Sequence, residues 1–180
     1  MTEQSYLPSL VSIDAINDLC GYAAESPPGC FVEFGVYKGG TASYLAQIAR
    51  MQGRSLFLYD TFCGMPFQGD MDKHAVNDFA DTSLEAVKKV IPDAIFCVGT
   101  FPDSVVPMPP IAFAHIDADQ YQSIKDAIRI FVPLMVTGGI MVFDDYNFLE
   151  SANQAIHEWE YELGYHIAKT EFRKGLWVKP

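Results

Sequence analysis

The sequence predicts an α/β fold in which a mostly parallel sheet is covered by helices on both faces. Three observations carry that expectation. Strand-like and helix-like stretches alternate along the chain. The strands "CFVEF", "LFLY" and "IAFAHI" are nearly continuous apolar runs, the pattern of strands buried on both faces. The 180 residues are 49% hydrophobic and 19% charged, which suits a single domain over residues 1–180 with a full core.

The elements follow in order. Ser12 caps a first helix with Ile13, Ile16, Cys20 and Ala23 on its apolar positions, and "ESPPG" stops it. Cys30 to Phe34 is a buried strand. Thr41 to Gln52 is a helix with Leu45, Ile48 and Ala49 inward, and "SLFLYD" is the second strand. Residues 61–81, rich in Gly, Asp and Phe, show no period and read as a loop long enough to act as a lid. "TSLE" (Thr82 to Glu85) is a capping box for a helix through Leu84, Val87, Lys88 and Ile91, with the Lys88 stem lying along apolar surface. "AIFCV" and "IAFAHI" are the third and fourth strands. Ile124, Ala127, Ile128 and Phe131 mark a helix that ends before Gly138-Gly139, and "IMVF" is the fifth strand. Ser151 caps a helix carrying Ala152, Ala155, Ile156, Trp159 and Leu163. "YHIAKTEF" and "LWVK" close the sheet as a hairpin turning at "RKG".

Composition excludes some partners. The net charge of −11 does not suit a phosphate backbone, so no nucleic acid is expected. No apolar run reaches the ~18 residues needed to span a bilayer. The four cysteines are widely spaced with no C-x-x-C pair, which fits reduced thiols and a cytoplasmic setting. The opening "MTEQSYLP" lacks the features of a leader, so none is expected.

The acidic residues hold the functional signal. Glu33, Asp60, Asp117 and Asp144-Asp145 all fall at or just after strand ends, where ligands bind in parallel sheets. The loop "EFGVYKGGT" supplies Gly35, Gly39 and Gly40 for a tight turn and close ligand approach, in the spacing G-x-x-x-G-G. That departs from the G-x-G-x-x-G of dinucleotide binders. With Asp60 placed to accept from ribose hydroxyls, an adenosine-bearing cofactor without a pyrophosphate fits. Clustered carboxylates call for a cation, and for Asp117 with Asp144 and Asp145 a metal is favoured. Asp119 alone reads as a capping or loop residue, and His115 as a core histidine. His74 and His157 read as a loop and a helix-surface residue. "DAD" (Asp117 to Asp119) also matches the D-x-D of metal-dependent glycosyltransferases, and a non-catalytic adenosine-binding protein is a further alternative on such a fold.

"FVEFGVYKGGTA", "YDTFCGMP", "DFADTSLEAV", "HIDADQY" and "MVFDDY" together resemble the macrocin O-methyltransferase family over roughly residues 30 to 160. The first loop is also similar to that of catechol-type O-methyltransferases. The resemblance implies a Rossmann-like class I methyltransferase fold with a seven-stranded sheet, S-adenosylmethionine and Mg²⁺ as cofactors, and a small-molecule hydroxyl as acceptor. Residue by residue, it implies that Glu33, Gly35, Tyr37, Gly39 and Thr41 line the methionine side of S-adenosylmethionine. It implies that Asp60 holds the ribose, that Gly99 lies near the adenine, and that Asp117, Asp144 and Asp145 bind Mg²⁺. Catechol-type enzymes have a lysine three residues after the first metal aspartate. Gln120 stands there in this chain, which leaves the general base open between Asp117 and Asp119. A homodimer is the assembly considered.

Overall fold

The computed structural model describes residues 6–164 and 166–180. The opening read for a leader therefore falls mostly outside the described residues, as does Tyr165, the first residue of the expected closing hairpin. A seven-stranded sheet has the order β3-β2-β1-β4-β5-β7-β6. Its strands are β1 (Cys30–Phe34), β2 (Leu56–Asp60), β3 (Ile95–Val98), β4 (Ile111–Ile116), β5 (Met135–Phe143), β6 (Ala168–Lys169) and β7 (Gly175–Val178). The first five pair in parallel; β7 runs antiparallel to β5, and β6 to β7. The helices are α1 (Ile13–Glu25), α2 (Gly40–Met51), α3 (Leu84–Val90), α4 (Tyr121–Leu134) and α5 (Glu150–Leu163).

Two cores flank the sheet. On one face Leu19 of α1, Leu45 of α2 and Val87 of α3 pack with Phe31, Leu58 and Phe113. On the other, Ile124 and Phe131 of α4 and Ile156 and Trp159 of α5 pack with Phe34, Tyr59 and Trp177. The expected two-sided cover is therefore present over the central strands. It thins at the edge, where Ile95 and Val98 of β3 are exposed.

Four local expectations shift. In α1, Leu19 is fully buried while Ile13 is half exposed, because the inward stripe runs through Ala15, Ile16, Leu19 and Ala23. The α3 cap is Ser83, whose Oγ accepts from Ala86 N–H, and Thr82 instead donates its hydroxyl to the Tyr37 carbonyl. Pro133, without an N–H, sits in the last turn of α4, and the chain passes straight into β5. Gly138-Gly139 therefore lies inside β5, where the register against β4 shifts, rather than before it. Ser151 is not a cap: α5 starts at Glu150, and the Ser151 hydroxyl donates to the Asp119 carbonyl across the site.

The strand ends form one row across the sheet. Beyond the last paired residues, Gly99 N–H donates to Asp60 O, Gly35 N–H to Tyr59 O, Asp117 N–H to Phe34 O and Asp144 N–H to Ile116 O, all within 2.7–3.0 Å. Each loop thus leaves the sheet at the same level.

Candidate active site

A cleft of about 570 Å³ opens over that row, within the usual range for small-molecule sites. Gly35, Tyr37, Thr41, Asp60 and Gly99 line one side, and Asp117, Asp119, Asp144 and Asp145 the other. Nine of the eleven residues singled out by sequence therefore share one cavity. Glu33 and Gly39 do not face it. Glu33 is buried beneath, its Oε1 3.0 Å from His115 Nδ1. Burial pushes the Glu33 carboxyl up, and the hydrogen bond with His115 only partly offsets this. Gly39 is the left-handed N-cap of α2 (φ 79°).

The glycine loop is shaped by contact with the acidic side. A Cβ on Gly35 would lie 1.8 Å from the Asp117 carbonyl oxygen, and its φ of 92° is one that side chains rarely adopt. Asp60 staples the same loop. Its Oδ2 accepts from Val36 and Tyr37 N–H (2.7 and 2.8 Å), and its Oδ1 from Phe62 N–H (2.7 Å). A carboxylate offers about four acceptor positions, so roughly one remains for a ligand hydroxyl.

The loop after β2 is ordered against this frame. Tyr37 hydroxyl and Lys38 ammonium both donate to Asp81 at its far end. In its middle, Asp72 Oδ1 accepts from Tyr121 N–H (2.8 Å), the first amide of α4. His74 and Phe79 from this loop line the cleft, with the rings 4.8 Å apart. His74 Nε2 stands 3.9 Å from Asp119 Oδ2.

Four carboxylates crowd the opposite wall. Burial and the neighbouring Asp144 and Asp119 charges drive Asp117 well above the ordinary aspartate range. Burial and Asp145 push Asp119 up to about 8, and burial with the Asp144 charge raises Asp145. Asp144 goes the other way. Burial opposes its ionisation, but the Lys174 ammonium, 2.6 Å from Oδ1, outweighs it and holds the carboxyl low. Donor atoms gather in two sets, each within 4.8 Å: His115, Asp117 and Asp144, and Asp117, Asp119 and Asp145. Asp117 belongs to both, while Asp144 and Asp145 fall in different sets. Asp117, Asp119 and Asp145, three oxygen donors with raised affinity for positive charge, fit a hard divalent cation, whereas Asp144 already faces the Lys174 ammonium.

Sequence reasoning missed Lys174. It sits in the "RKG" turn, where a lysine looks like a solvated residue, yet it is only 2% exposed. Its role comes from the hairpin folding back over β5, which no local pattern reveals. It also missed residues 8–12 ahead of α1 and Glu171 to Lys174, which complete the cleft wall. Backbone conformation marks the site as well. Of the eight non-glycine residues with positive φ among those described, five, Tyr37, Phe79, Asp119, Asp145 and Arg173, line this cleft. Such residues cluster at functional sites.

The strand order, the cleft at its carboxyl edge and the loop after β1 define a Rossmann-like class I methyltransferase fold. The macrocin-O-methyltransferase (TylF) family profile matches residues 14–169, and the chain belongs to that family. It is 30% identical over 162 residues to the 8-demethyl-8-(2,3-dimethoxy-alpha-L-rhamnosyl)-tetracenomycin-C 4′-O-methyltransferase of Streptomyces olivaceus, spanning 78% of this chain and 61% of that one. It is 28% identical to the demethyldecarbamoylnovobiocin O-methyltransferase of Streptomyces niveus, over 80% of this chain and 62% of that one. The chain thus spans about three fifths of the length of these relatives. Among solved structures, the O-methyltransferase NovP superposes with a TM-score of 0.85 at 22% identity, covering 95% of this chain and 81% of that one. The calicheamicin methyltransferase CalS11 gives 0.74 at 20% identity, covering 91% and 77%. Among the described residues no helix is long and apolar enough to cross a membrane.

Proposed function

We propose that this protein, as one domain, transfers a methyl group from S-adenosylmethionine to a hydroxyl of a small molecule, with Mg²⁺ bound by its aspartates. One observation carries the reading: the glycine loop with Asp60 and the aspartate cluster face each other across a single cleft. The names of the two Streptomyces relatives both specify oxygen as the methylated atom, one of them in a rhamnosyl-tetracenomycin, which supports a sugar or natural-product hydroxyl here.

When bound, S-adenosylmethionine supplies the methyl group, and Mg²⁺ lowers the pKa of the acceptor hydroxyl. The chain's own residues position and protect. The backbone of Gly35 to Thr41 and the remaining acceptor position of Asp60 hold the cofactor. Asp117, Asp144 and Asp145 are the proposed metal ligands. Lys174 occupies Asp144 Oδ1, and Oδ2 makes no hydrogen bond among the described residues. Asp119 is the proposed base: it lines the cleft within 4.8 Å of Asp117 and Asp145 and has the raised affinity needed to take a proton near neutral pH. The loop after β2, fixed at Asp72 and Asp81, keeps water from the sulfonium. Because the reaction needs little covalent help, rate rests on alignment and charge.

The test is calorimetry with S-adenosylhomocysteine, together with methyl transfer to vicinal-diol acceptors with Mg²⁺ and in excess chelator. Micromolar binding and chelator-sensitive transfer are expected. Absence of binding would sink the cofactor assignment, and full transfer in chelator would sink the metal.

A further inference from the structure

A row of ionisable side chains lies along one face of the sheet, and strand register puts it there. Glu33 of β1 pairs with His115 of β4, and His115 with Val142 of β5. Val142 pairs in turn with Leu176 of β7. Side chains two residues apart along a strand share a face. Glu33, His115, Asp117, Asp144 and Lys174 therefore continue the positions of Phe31, Phe113, Val142 and Leu176, which pack in one core. The apolar pattern of that face gives way to charge at the carboxyl edge.

The row ends in a buried cation. The Lys174 ammonium lies 2.6 Å from Asp144 Oδ1. Against the burial that raises Glu33, Asp117 and Asp145, the same charge pulls each of them down. A lysine is almost never fully buried unless it is paired. His115 is an independent sign of a cation position. It is fully buried, its Nδ1 faces Glu33 Oε1 at 3.0 Å, and its Nε2 has no hydrogen-bond partner among the described residues. When Nδ1 donates to Glu33, Nε2 carries the free lone pair, the arrangement of a metal-ligating histidine. A ring nitrogen of His115 and carboxylate oxygens of Asp117 and Asp144 all lie within 4.8 Å of one another.

We propose that Lys174 is the built-in cation of an inner site formed by His115, Asp117 and Asp144, so that the cluster takes one divalent ion where its ligands would otherwise take two. Asp117 belongs to both donor sets, which makes it the bridge between an inner and an outer position. Paired-ion sites hold their cations about 3.5–4 Å apart. The ammonium is a compact point charge with donors only, so it balances the inner carboxylates without offering a coordination position to a substrate oxygen. The divalent ion is thereby kept to the outer position, where Asp117 and Asp145 line the cleft. Lys174 is a positioning residue on this account: it holds Asp144 by Oδ1 and directs the ion outward. This rests on the metal reading of the cluster given above.

The experiment counts Mn²⁺ bound to the full chain by calorimetry and reads the bound ions by electron paramagnetic resonance. The native chain should bind one ion and give the spectrum of isolated Mn²⁺. Lys174→Met should bind two, and the pair bridged by Asp117 should give a spin-coupled spectrum. Adding His115→Gln to Lys174→Met should return the count to one, and Lys174→Arg, which keeps the charge, should also bind one. If Lys174→Met does not fold alone, it should fold in saturating Mn²⁺, because the second ion supplies the missing charge. Its melting temperature should then rise with Mn²⁺ by more than that of the native chain. Two ions on the native chain, one ion on Lys174→Met, a second ion that survives His115→Gln, or a Lys174→Met chain unfolded even in Mn²⁺ would each overturn the inner site and leave the metal reading standing. No ion on the native chain would sink the metal reading itself, and the inner site with it.

Discussion

Asp119 and Asp144 sit in one cluster and titrate in opposite directions, so each gives its own test. The Asp119 carboxyl is raised from 3.8 to about 8 by burial and Asp145. A raised group favours the fold below its unfolded value and loses that contribution as pH rises through the folded one. Metal-free protein should therefore melt at progressively lower temperature between about pH 4 and pH 8. Asp119→Asn should flatten that slope in chelator; an unchanged slope would remove Asp119 as its source. Asp144 is depressed, so its pairing with Lys174 stabilises at neutral pH and is lost as pH falls through its folded value. Lys174→Met strands a largely buried carboxylate and should cost about 3–5 kcal/mol at pH 7, less in acid. Urea melts at the two pH values check it, and an equal cost at both would contradict the pairing.

Among the elements, α4 is held by a residue outside it. Its own N-cap, Gln120, makes no side-chain cap bond, and Asp72 from the preceding loop accepts the Tyr121 amide instead. A carboxylate at a helix start also suits the helix dipole. Asp72→Ala should cost about 0.5–2 kcal/mol, the range for a lost cap, and should speed proteolysis within residues 61–81. Cleavage no faster than in the native chain would show that the loop is fixed elsewhere. This cap also explains a limit of the sequence. Apolar runs and helical spacing revealed β1, β2, β4 and α5 because each buries its own pattern. The caps at Ser83 and Asp72 depend on which amides remain free after packing, and "TSLE" alone points to Thr82. The glycine loop and aspartates were legible as chemistry. Their sharing of one cleft follows from the strand order, and Lys174 from the antiparallel return.

Across the molecule, two cores share a single sheet, so damage to either reaches the row of strand ends. Phe131 is fully buried against Tyr59 and Phe101, with ring centroids at 5.5 and 5.3 Å. Phe131→Ala should cost about 3–5 kcal/mol. Ligand binding should offset part of this: S-adenosylhomocysteine at about 100 times its dissociation constant adds about 2.7 kcal/mol to a state that alone binds it. Thermal melts with and without ligand test both, and a variant as stable as the native chain would mean that the site face relaxes around the hole.

The closing hairpin has a consequence for how such a protein can diversify. Its tip, residues 171–173, borders the cleft but lies outside the parallel frame, in the turn before β7, which pairs antiparallel with β5. On the proposed methyl-transfer reading, acceptor choice would drift by exchange of a three-residue cassette while the half proposed to hold the methyl donor stays under separate constraint. A chimera carrying a relative's tip, with Lys174 retained, should keep its melting temperature and cofactor affinity and change only which acceptor it prefers. Loss of cofactor affinity in that chimera would show that the two halves are not separable.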